Sequence, residues 1–163
     1  VRGILRMLMT ACNGQGNLLL NIGPAPDGSV PEEAVKPLRD TGEWIRRHAD
    51  VVYPISDRWE GGRVSGWANA TRRGNKVYAW TRLWPNEPAG FGGFMTPLKA
   101  AYLLPDRRPL KFEQKDQRIL FTDLPEKSPD QIANMAVIEL EFEGKPVHER
   151  CSKQPALQGG KEY

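Results

Sequence analysis

The spacing of apolar residues along the chain changes near Tyr53, from helical periods before it to strict alternation after it. Ile4-Leu5-Arg6-Met7-Leu8-Met9 reads as the middle of an amphipathic helix, and the Gly/Asn-rich turn Asn13-Gly14-Gln15-Gly16 ends it. Leu18, Leu19 and Leu20 then run together, with Ile22 one polar residue later. That continuity predicts a parallel strand covered on both faces, over Asn17 to Gly23. Gly23-Pro24 stops it, because proline cannot donate to a ladder. Ser29-Val30-Pro31-Glu32 starts a further helix, with Ser29 as its cap, and Ala34, Leu38, Thr41, Ile45 and His48/Ala49 recur on one face. Pro37 falls inside that helix, where a lost backbone bond predicts a kink at a cost of about 3 kcal/mol.

Beyond Tyr53 the pattern is that of short strands. Val77, Ala79 and Thr81 alternate with Lys76, Tyr78 and Trp80, so residues 63–72 and 76–83 read as a hairpin around Arg73-Gly74-Asn75. A second hairpin is expected over 110–114 and 118–122 around Lys115-Asp116-Gln117, with further strands at 100–104 and 136–142. Five or six short strands broken by Pro, Gly and Asp predict an antiparallel sandwich, with strand order left open. After Phe142 the chain is polar and aperiodic, which predicts a frayed tail over 146–163.

Composition narrows the picture only a little. At 39% hydrophobic and 26% charged over 163 residues the chain is ordinary for a globular protein, and no apolar run approaches the ~20 residues of a membrane span. The net charge of +3 comes from scattered residues, the basic pairs Arg46-Arg47, Arg72-Arg73 and Arg107-Arg108 included, so nucleic acid is not an expected partner and neither is a membrane. Cys12 and Cys151 stand too far apart to form a disulfide framework, and His48 and His148 are equally isolated. No metal is expected; Cys12 reads as a buried inert thiol, and His48 as a helix-end group satisfying terminal carbonyls.

Asn17-Leu18-Leu19-Leu20-Asn21-Ile22-Gly23-Pro24, then Asp27-Gly28, a proline-initiated helix and Gly42-Glu43-Trp44, resemble the end of the catalytic barrel in the α-L-fucosidase family of retaining glycoside hydrolases. The similarity is close over Gly14 to Tyr53; His48-Ala49-Asp50 and Tyr53-Pro54 depart from the family's Asn-Gly-Glu and Tyr-Gly. It implies an α/β remnant, the last strand and helices of a TIM-like barrel, over residues 1–52. An all-β antiparallel sandwich would follow over 53–145 and a flexible tail over 146–163. A complete barrel takes about 250 residues, so the resemblance implies a C-terminal part of a longer enzyme. Such an enzyme hydrolyses terminal α-L-fucosides with retention, needs no cofactor, and acts outside the cytoplasm or in lysosomes. Fucosylated glycans would be met through the catalytic domain. Two other readings stay open: a stand-alone carbohydrate-binding or structural sandwich, and a divergent inactive family member.

Retaining chemistry needs two carboxyl groups about 5–5.5 Å apart. In the family both come from upstream of the matched segment, so no catalytic residue is expected in this chain. The local carboxylates have plainer uses: Asp27 sits in a Pro-Asp-Gly turn, and Glu32 and Glu33 lie where a helix dipole favours negative charge. Asn21 is the one candidate substrate-binding residue, being near the C-terminal end of the predicted barrel strand. Its amide either reaches sugar hydroxyls or a carboxylate, or simply holds the Gly23-Pro24 turn. Of the aromatics, Trp67 and Trp80 read as core or domain-interface residues. Trp84-Pro85 and the loop from Gly90 to Phe94 are the expected place for any carbohydrate contact.

Overall fold

The computed structural model describes residues 1–59, 64–85 and 89–149. Helix α1 (Arg2–Asn13) turns Leu5 and Met9 inward one helical turn apart. It ends where Gly14 and Gly16 donate back to the Thr10 and Ala11 carbonyls, the step past it being taken by Gln15 at φ 56°. Helix α2 (Glu32–Arg47) carries Glu32 and Glu33 in its first turn and Arg46 and Arg47 in its last, matching the macrodipole at both ends. Pro31, not Ser29, occupies its N-cap. Ser29 is already engaged: its amide and hydroxyl both donate to Asp27 Oδ1, at 3.0 and 2.7 Å, closing the Pro-Asp-Gly turn instead of capping the helix. Helix α2 continues through Pro37, whose carbonyl accepts from the Thr41 hydroxyl at 2.7 Å. A short third helix, α3 (Ala49–Val52), follows directly.

Among the described residues eight strands follow: β1 (Ala68–Arg73), β2 (Lys76–Thr81), β3 (Gly90–Gly92), β4 (Leu98–Leu104), β5 (Arg108–Pro109), β6 (Phe112–Lys115), β7 (Arg118–Phe121) and β8 (Val137–Phe142). They form a five-stranded sheet in the order β1-β2-β8-β4-β5 and a three-stranded sheet in the order β3-β7-β6, every pairing antiparallel. Both expected hairpins are present. Gly74 at φ 59° and Asp116 at φ 52° supply the left-handed residues their tight turns require.

The five-stranded sheet is the middle of three layers. On one face, Val77, Ala79, Ile138, Leu140 and Phe142 meet Phe91, Ile119 and Phe121 of the smaller sheet. On the other, Tyr78, Trp80, Val137 and Leu104 meet Leu5, Met9, Trp44 and Val51 of the helices. Strands β2 and β8 are therefore buried on both faces, although their sequences alternate. The residues between Ser128 and Met135 fasten the helical layer to the sheet. Buried Asp130 accepts from the amides of Ile132, Ala133 and Met135, while Trp44 Nε1 and Arg2 Nε donate to the carbonyls of Met135 and Ala133.

The segment after α1 and the tail also depart from expectation. Residues 17–23 form no strand: Leu19 is 92% exposed and Leu20 and Ile22 are each 37% exposed. A parallel strand gains its hydrogen bonds only from neighbours, and the described residues place none alongside. The tail expected over 146–163 is pinned at its start. Phe94 bridges to His148, Met95 donates to the Val147 carbonyl, and Glu149 donates to Gly93. Residues 150–163, with Cys151, lie outside the described residues.

Candidate functional site

Asn21 belongs to the exposed segment that links α1 to α2, beside an open crevice of about 400 Å³ lined by Asn17, Leu18, Leu8, Ile45, Val52 and Ile55 among others. Its own side chain is exposed and is not part of the crevice wall. The crevice is chiefly aliphatic, and Ile55 and Tyr53 at its edge are 79% and 70% exposed. Apolar surface of this kind suits packing against further protein better than recognition of a sugar. Cys12 in its wall is half-buried where a buried thiol is expected, and desolvation raises its pKa, which favours the protonated form.

A general acid for glycoside hydrolysis must hold its proton near neutrality, which requires an elevated carboxyl pKa. The carboxyl groups that depart from their ordinary values here go the other way. Asp27 is lowered by the Ser29 hydroxyl and amide, Glu43 by Arg46, and Glu141 by Lys99. Asp27 closes a turn, and Glu32 and Glu33 open a helix, so each has the structural role its sequence context predicts. Among the described residues no group of three His, Cys, Asp or Glu side chains is placed to hold a metal ion.

Among the described residues, Trp67, Trp80 and Trp84 are engaged in packing and hydrogen bonds. Trp80 is fully buried against Trp44 and donates to the Thr71 hydroxyl at 3.2 Å, which puts it on the helix-facing side of the middle sheet. Trp67 stacks on Phe91 at 4.8 Å and donates to the Gly90 carbonyl. The exposed contact expected over Gly90 to Phe94 is overturned: Gly90–Gly92 is a strand, and Phe91 and Phe94 are core residues, 2% and 0% exposed. Gly90 lies so close to the Ile119 backbone that a Cβ would collide with it, and this approach is what carries the segment inward. Trp84 is half-buried and donates to the Pro125 carbonyl at 2.8 Å.

The helices and both sheets recur together in known proteins. The family described as Alpha-L-fucosidase matches residues 1–50, the region whose motifs carry the resemblance. An α-L-fucosidase structure from Paenibacillus thiaminolyticus, isoenzyme 1, superposes with a TM-score of 0.76 at 26% identity, over 87% of this chain and 34% of that one. The chain resembles α-L-fucosidases both in sequence and in fold. Human tissue α-L-fucosidase is 28% identical over 136 residues, covering 79% of this chain and 28% of the human protein. The α-L-fucosidase of Branchiostoma floridae reaches 33% identity over 87 residues, 51% of this chain and 19% of that protein. The fold is shared also with Thermotoga maritima α-fucosidase in complex with fucose, at a TM-score of 0.70 and 24% identity over 85% of this chain and 34% of that one. The chain thus spans about a third or less of each of these relatives.

Sequence reasoning missed Asp130 and Met135, which join the layers, although Ser128-Pro129-Asp130 is a recognisable turn signal. It also missed the charged cluster around Glu139, because a glutamate in an alternating strand reads as solvent-facing and this one is 5% exposed.

Proposed function

We propose that this chain is the C-terminal part of a glycoside hydrolase that removes terminal α-L-fucosyl groups with retention, acting through a glycosyl-enzyme intermediate. Residues 1–52 contribute the end of the catalytic barrel and 53–145 a sandwich that buttresses it. The supporting observation is the exposed apolar surface at Leu19, Leu20, Ile22 and Ile55, in and next to the region that matches the α-L-fucosidase family. In this reading both catalytic carboxylates come from outside the chain, the chain alone is inactive, and fucosylated glycans are bound through the catalytic domain. Asn21 is then brought to the substrate end of the barrel, where its amide holds either a sugar hydroxyl or a neighbouring carboxylate.

The test grafts this chain onto the barrel of the Paenibacillus relative in place of the matching C-terminal third, then follows an aryl α-L-fucoside and the anomer first released. Turnover by the chimera with retention, and none by the isolated chain, is the expected pair of results. Turnover by the isolated chain that is lost in Asp27→Asn or Glu32→Gln overturns the assignment. Saturable binding of fucosylated glycans to the isolated chain reclassifies the sandwich as a carbohydrate-binding module.

A further inference from the structure

The end of α2 and α3 stand over the helix-facing side of β2, β8 and β4, and a cleft of about 260 Å³ remains between them. Its charges do not balance. Lys76 Nζ and Arg107 both reach the same oxygen of Glu139, at 2.8 and 3.2 Å, so two cations share one buried carboxylate. Arg73 has only neutral partners: it donates to the Asp50 carbonyl at 3.0 Å and to the Tyr78 hydroxyl at 2.8 Å. Burial raises the Tyr78 pKa, so the phenol stays uncharged and neutralises nothing. Arg47 also lines the cleft, its ion pair being with Glu43 at 3.6 Å, and Asp50 adds a second carboxylate to the lining. The lining thus carries four cationic side chains against two carboxylates, in a recess walled by protein, where a charge pair is worth more than in open water.

Two further features fit the same reading. His48 forms part of the wall, 3% exposed, with Nδ1 3.0 Å from the Trp44 carbonyl and Nε2 without a hydrogen-bond partner. With the proton on Nδ1, Nε2 is a spare acceptor, and buried polar atoms of that kind ordinarily have a partner. Arg107 adopts φ 53°, a left-handed conformation uncommon for arginine, and in it stacks 4.4 Å over Tyr102 while reaching Glu139.

We propose that this cleft binds a small hydroxyl-bearing oxyanion, a sulfated or phosphorylated monosaccharide, with the anionic group between Arg73, Lys76 and Arg107 and a hydroxyl directed to the His48 side. The volume decides the size class. Sites for drug-sized ligands run to about 300–1,000 Å³, and this one holds a single charged sugar ring. The assignment stands on the charge balance of the cleft and not on the fucosidase reading, so either can fail without the other.

The test is a backbone-amide NMR titration of the 163-residue chain at constant ionic strength, with sodium sulfate, glucose 6-sulfate and uncharged glucose as probes. Both anions should shift the amides of Arg73, Lys76 and Arg107 saturably, with the sugar sulfate at least tenfold tighter and glucose silent. Arg107→Asn keeps a residue that tolerates positive φ and should weaken both anions tenfold or more. Arg46→Gln, on the outer face of α2, should change neither. No saturable shift, or equal affinity in Arg107→Asn, overturns the site. Equal affinity for sulfate and sugar sulfate overturns the monosaccharide and leaves a bare oxyanion site.

Discussion

His48 joins α2 to α3 with its ring stacked 4.0 Å from Trp44, and its Nδ1 faces the carbonyl of the same tryptophan. Desolvation is the largest influence on its pKa and lowers it from 6.5, outweighing the hydrogen bond to Trp44 and the nearby Asp130, which act the other way. The folded state therefore binds fewer protons at this site than the unfolded chain does, and stability falls as pH drops below about 6.5 until the folded pKa is passed. Chemical denaturation at pH 7 and pH 5 should show a loss of stability on acidification that is absent in His48→Gln. That window lies above the range in which Asp27, Glu43 and Glu141 titrate, since all three are shifted downward. A wild-type stability that is flat between the two pH values would contradict a buried neutral imidazole. The helix-end role of His48 was readable from its place after Arg46-Arg47. Its burial was not, because it depends on α2 packing on the sheet, where Trp44 Nε1 donates to the Met135 carbonyl.

At the scale of elements, the two tryptophans at the joint carry the coupling between helices and sheet. Trp44 and Trp80 are both fully buried, with ring centroids 5.3 Å apart, one on α2 and one on β2. Replacing either by alanine should cost about 3–5 kcal/mol. The two losses should fall short of additivity by about 0.5–3 kcal/mol, since the second substitution removes a ring whose partner is already gone. Urea midpoints of the two single variants and the double variant measure this; strict additivity would mean that helices and sheet do not share a core. The hairpins were legible because Gly74-Asn75 and Asp116-Gln117 are local signals flanked by alternation. Strand order was not, for β8 inserts between β2 and β4 through contacts across more than 30 residues, which no local period encodes. The sequence around Gly90 misled for a related reason. Three glycines among two phenylalanines read as an exposed loop, whereas the missing side chain at Gly90 permits close backbone approach to β7.

The helices and sheets form one layered body through shared apolar faces, and among the described residues the stretch between α1 and α2 takes no part in either apolar cluster. Leu5 and Trp44 have no exposed surface, so α1 and α2 are anchored on the five-stranded sheet. Leu19, at 92% exposure, is in the opposite condition, although its neighbours Leu18 and Leu20 make the run that most strongly predicts a doubly covered strand. That contrast gives a prediction in which one substitution has two different costs. In the 163-residue chain, Leu19→Ala removes no packed contact and should change stability by no more than about 0.5 kcal/mol. If residues 17–23 enter a relative's barrel in the chimera as the proposed function has it, the same side chain is covered there, and its loss should cost about 2–5 kcal/mol. Thermal or urea unfolding of both pairs of proteins makes the comparison. A small effect in both contexts would show that residues 17–23 do not enter the barrel, and a large effect in the isolated chain would show that they are already packed without it.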